Sequence, residues 1–85
     1  MTEHTITLDA GDHRRALAAL SHYLHDDLDG VAASLGEANE TGRRLELLLA
    51  VLSTTANLLP ELRSPLGVQL LRDHLLHAAN QEGTN

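Results

Sequence analysis

The stretch SHYLHDDLDG, residues 21–30, decides the fold, because a leucine stripe either runs straight through it or breaks at its glycine. Leu17, Leu20, Leu24, Leu28, Val31 and Leu35 stay within a narrow band at about 100° per residue, the spacing of one helix face. Glycine in a helix interior costs roughly 1 kcal/mol relative to alanine, so Gly30 is a weak point in such a helix. The stripe continues beyond it. The spacing therefore predicts one long helix over residues 10–38, weakest near residue 30, with Asp9 as its N-cap and Asp12 three residues further on.

The same stretch holds two histidines and three aspartates. In an unbroken helix His22, His25, Asp26 and Asp29 stand at i, i+3, i+4 and i+7, on one face about a third of a turn from the leucines. Imidazoles and carboxylates at this spacing suit Zn²⁺, Ni²⁺ or Cu²⁺, so these four residues form the candidate metal set. A helical His pair binds weakly without further ligands, and the competing reading is a solvated polar face. His74 and His77 repeat the spacing near the C-terminus with Asp73 beside them. His74 falls at the helical angle of Leu70, Leu71, Leu75 and Ala78, which predicts a core or interface histidine.

Downstream, ANETG (38–42) reads as a turn, and a second helix follows over residues 43–59. Its main stripe is Leu45, Leu48, Leu49, Leu52, Ala56 and Leu59, and Leu47, Val51 and Leu58 make a second stripe beside it. A surface helix needs an apolar band only somewhat wider than 100°, so this one is expected to be central or to lie in an oligomer interface. Pro60 stops it. Ser64 and Pro65 provide the N-cap and first position of a third helix over 65–79, with residues 80–85 as a frayed tail. Upstream, HTITL (4–8) alternates like a short strand, and residues 1–9 are read as that strand or an extended tail.

Composition narrows the classes. The chain has 85 residues, no Phe, no Trp and one Tyr, so its core must be leucine, alanine and valine, which favours helices. The fold class is all-α: a small three-helix bundle, or a helical hairpin plus a third helix, associating as a homodimer. A net charge of −6 with six arginines and no lysine disfavours a nucleic-acid partner. The absence of cysteine excludes disulfides and thiolate chemistry. No run approaches the length of a membrane span, and the N-terminal residues lack the pattern of a secretion signal, so a cytoplasmic protein without membrane contact is expected.

Catalytic motifs are missing. A calcium loop over 25–36 would start at His25 and end at Gly36, lacking its two strongest ligands. The His25-Asp26 doublet matches that of HD-type metal phosphohydrolases, but the chain is too short to supply their remaining helical ligands and a cleft. A helix-turn-helix reading would give the third helix base contacts, and its polar residues carry almost no net charge. No glycine-rich phosphate loop occurs, and no cofactor is expected. The functional expectation is a non-catalytic protein–protein interaction module, with Leu47, Val51, Leu58 and Leu76 at the contact. The rivals are a His/Asp metal-binding protein and an acidic antagonist mimicking nucleic acid.

Overall fold

The computed structural model describes residues 6–83, which form four α-helices and contain no strand. They are α1 (Ala10–Leu24), α2 (Leu28–Glu40), α3 (Arg44–Leu58) and α4 (Pro65–Gly83), with a 3-10 helix at Pro60–Arg63. The all-α class is therefore established. The chain divides into two compact units, Met1–Thr55 and Ala56–Asn85.

The first unit begins with a reciprocal cap. The Asp9 carboxylate accepts the Asp12 N–H at 2.8 Å, and the Asp12 carboxylate accepts the Asp9 N–H at 2.8 Å. The strand expected over residues 4–8 lies partly outside the described residues; Ile6–Asp9 form neither helix nor strand, and Leu8 packs on the core.

The single helix expected over 10–38 is two helices, and the break falls at residues 25–27 rather than at Gly30. Asp26 adopts a left-handed conformation (φ 57°), its N–H bonding the Tyr23 carbonyl at 3.1 Å while the Asp27 N–H reaches back to the His22 carbonyl at 2.8 Å. These two bonds close a helix C-terminus in the usual left-handed way, with aspartate in the place glycine most often takes. Asp27 then serves as the N-cap of α2, accepting the Gly30 N–H at 2.9 Å. Two consecutive aspartates thus stop one helix and start the next, Asp26 through its left-handed backbone and Asp27 through the carboxylate that accepts the Gly30 N–H.

Gly30 is needed for packing. A methyl group there would lie 2.4 Å from the His22 ring and 2.6 Å from Asp27 Oδ2. The ring itself is held by Asp27, with Nδ1 2.9 Å from that oxygen. Gly30→Ala is therefore expected to destabilise the native chain by about 1 kcal/mol or more, against the usual gain from helix propensity. In a His22→Ala background, with the ring gone and the carboxylate free to turn aside, the same substitution is expected to stabilise. Chemical denaturation of the four proteins checks this reversal of sign.

The three-residue link folds α2 back along α1 as a hairpin, so that Arg15 meets Glu37 near one end and His22 meets Asp27 near the other. At the end of α2, Gly42 (φ 70°) and the Arg43 N–H, bonded to the Ala38 carbonyl at 2.8 Å, repeat the closure and deliver the chain into α3. The apolar core comprises Ala16, Ala38, Leu47 and Ala50, with Leu8 and Val51 against it. Three of these four buried residues are alanines, so the core is small, and the backbones of α1 and α2 approach closely.

The leucine stripe of residues 17–35 is not the buried face. Leu17, Leu24, Leu28 and Leu35 are exposed, whereas Asp12, Arg15 and Ala16 face inward. The reversal at Asp26–Asp27 removes the continuous helix on which that stripe was drawn.

In the second unit, Ser64 caps α4 by accepting the Gly67 N–H at 3.1 Å, and Pro65 occupies the first helical position. A methyl group on Gly67 would fall 2.0 Å from the Glu61 carbonyl oxygen, so only glycine lets α4 start against the 3-10 helix. The tail expected to fray from residue 80 is helical to Gly83, since no breaker intervenes and Gln81 contacts His77 at 3.1 Å, one turn back. No α4 residue is buried, and His74, expected in a core or an interface, is exposed in this chain together with Leu70, Leu71 and Leu75.

Candidate functional site

Two features of the first unit stand out, a buried ionic network and an open apolar groove. The network centres on Asp12, which is wholly buried. Arg43 grips it with both arms, Nε to Oδ1 at 2.8 Å and Nη2 to Oδ2 at 2.7 Å, and Arg15 adds a bond to Oδ1 at 3.1 Å. Arg43 also donates to the Thr7 carbonyl at 3.0 Å, which ties the N-terminal segment to the start of α3. Glu37 completes the set, meeting Arg15 at 3.3 Å and pairing with Arg14.

Fork-shaped donation from Arg43 holds the Asp12 carboxyl far below the usual carboxylate range, although burial alone would raise it; the Asp9 N–H and Arg15 act in the same direction as Arg43. Arg43 is correspondingly held more firmly protonated by Asp12. Glu37 is lowered chiefly by Arg14, against burial. These groups pair with one another, joining α1, α2 and the start of α3, and leave the Arg15 Nε buried without a partner. Their chemistry is that of a clamp.

The groove lies between the same three helices and encloses about 380 Å³. Ala19, Leu20 and Tyr23 of α1, Val31 and Leu35 of α2, and Leu47, Leu48 and Val51 of α3 line it, with Arg44 as its one charged residue. The spacing of α3 explains the placement. Leu47 and Ala50 point into the core, Leu47 and Val51 form the adjoining groove wall, and Leu45, Leu48 and Leu52 follow on the next sector. Those three are each more than half exposed, at 53%, 54% and 56%.

The residues read from the sequence as contact positions are dispersed. Leu47 is 7% exposed and belongs to the chain's own core as well as the groove, and Val51 is a half-buried groove residue. Leu58 and Leu76 are exposed and belong to the second unit. The groove residues of α1 and α2 were missed as a group, although Leu20, Val31 and Leu35 were visible as part of the apolar stripe.

The candidate metal residues do not share a face. His22 lies in the last turn of α1, turned to Asp27, and His25 is the C-cap, its ring 2.8 Å from the Ser21 carbonyl; Asp26 occupies the left-handed turn, and Asp29 lies in the first turn of α2. The helix on which their spacing depended is interrupted. Among the described residues no three His, Asp or Glu side chains form a group that could hold a metal ion. Nor is any described helix long and apolar enough to cross a membrane. Comparison with protein-family models, curated proteins and solved structures finds no match to this chain.

Proposed function

We propose that this chain is a small, acidic, non-catalytic interaction module whose apolar helix faces associate with protein, a second copy of itself being the favoured partner. The observation that carries the reading is the row Leu45, Leu48 and Leu52, more than half exposed beside an open apolar groove. Continuous apolar surface of this kind on a soluble domain marks an interaction site. With only Ala16, Ala38, Leu47 and Ala50 as buried apolar residues among those described, association also supplies burial that the chain lacks alone. The net charge of −6 favours a protein partner over nucleic acid, and a cytoplasmic location accompanies the reading.

Native mass spectrometry of the untagged protein is the test. A dimer or larger assembly is expected, and Val51→Glu, which places a charge in the groove wall, is expected to dissociate it by at least tenfold in Kd. Circular dichroism on the same sample separates dissociation from unfolding. A protein still monomeric at about 100 micromolar, which means a binding free energy weaker than roughly −5.5 kcal/mol, overturns the self-association reading.

A further inference from the structure

We infer that the surface joining two copies is α3 itself, packed antiparallel against α3 of a second copy about a two-fold axis near Leu48, with the partner's leucines closing the apolar groove. This rests on the self-association reading above and specifies its geometry. Leu45, Leu48, Leu52 and Thr55 follow a spacing of three, four and three residues, which is the seam of a helix pair. The exposed leucines of that seam adjoin the groove through Leu48, which belongs to both. A two-fold contact requires a patch that complements itself, and an antiparallel pair centred on Leu48 sets Leu48 against Leu48 and brings Leu45 within one residue, about 1.5 Å of helical rise, of the partner's Leu52.

Charge selects the direction. Arg43 and Arg15 are occupied by Asp12, whereas Arg44 stands at the groove edge with no ion pair among the described residues. In a parallel pair the two Arg44 guanidinium groups would meet, along with the positive ends of both helices. The antiparallel arrangement separates the two Arg44 positions by about 12 Å of helical rise and opposes the dipoles.

The area is sufficient. Tyr23, Leu35, Leu45, Leu48, Val51 and Leu52 present exposed or half-buried apolar side chains around the groove and seam. At up to roughly 100 Å² each they remove on the order of 600 Å² from water per copy. A pair then buries about 1,200 Å², the lower edge of stable interfaces, which predicts a reversible, concentration-dependent dimer.

The cysteine-free sequence makes the test direct. Full-length Leu48→Cys, oxidised with copper phenanthroline, is expected to form a covalent dimer in good yield. Leu45→Cys alone is not, because its two copies are about 9 Å apart along the axis and outside disulfide reach, whereas a mixture of Leu45→Cys and Leu52→Cys is. Leu48→Glu is expected to weaken dimerisation at least tenfold with the helical signal unchanged. Self-crosslinking at both 45 and 48 means a parallel pair and overturns the inference. A native dimer that fails to crosslink at 48 also overturns it, while leaving the self-association reading intact. A monomer in native mass spectra removes both.

Discussion

Asp12→Asn is expected to lower the thermal midpoint by on the order of 10 °C or more, the largest loss of any polar substitution in this chain. Asparagine keeps the shape and an acceptor for the helix cap, but it removes the charge that Arg43 holds at 2.7 and 2.8 Å and that Arg15 contacts at 3.1 Å. Both guanidinium groups then lose the carboxylate that compensates their burial. The pH dependence has a definite sign. Asp12 has a lowered pKa in the folded chain, so its contribution is complete above the unfolded value of about 4 and is lost as pH falls toward the folded value. The gap between wild type and Asp12→Asn should stay constant from pH 7 to about 5 and narrow below about pH 4. Thermal melts of the two proteins across that range check it, because other carboxylates titrate in both and cancel in the difference. A gap unchanged at pH 3, or absent at pH 7, would contradict the clamp.

Adjacent leucines are expected to behave oppositely. Leu47→Ala should cost about 2–5 kcal/mol, because Leu47 is the one large side chain among the buried apolar residues described, packed with Ala16, Ala38 and Ala50 and with Leu8 and Val51 against them. In so small a domain that loss populates the unfolded state at room temperature. Leu48→Ala, at a side chain 54% exposed, should change the stability of the isolated chain by less than about 0.5 kcal/mol while weakening self-association. Urea denaturation at low protein concentration measures the first effect, and sedimentation over a concentration series measures the second. Equal effects in both assays would mean that core and contact are not divided between these neighbours.

The candidate site was legible in part, and for a specific reason. The apolar girth of α3 is plain in RLELLLAVL, which shows that the helix has more than one face to cover. Which leucine covers which face depends on where α1 and α2 lie. Leu47, expected at a contact, lies in the core and at the groove wall, because the hairpin packs on the sector shared with Ala50. The histidine and aspartate spacing of residues 22–29 holds on an ideal helix, but α1 ends at Leu24, so His22 alone of the four lies within it, with His25 as its C-cap and Asp26 in the left-handed turn.

What the sequence by itself determined is the helical class and the local signals: the paired carboxylates of Asp9 and Asp12, the Ser64-Pro65 start of α4 and the leucine periodicity. Each is written within one or two turns, because a cap bonds three residues along and a stripe repeats every three or four. Only the tertiary structure decided that the inward face of α1 is Asp12, Arg15 and Ala16 rather than its leucines. Asp12 and Arg43 are 31 positions apart, and each alone reads as an ordinary surface charge. Once the turn at Asp26–Asp27 folds α2 back and Gly42 aims Arg43 at the cap of α1, pairing makes burial of the charges tolerable, and the leucines are left facing outward.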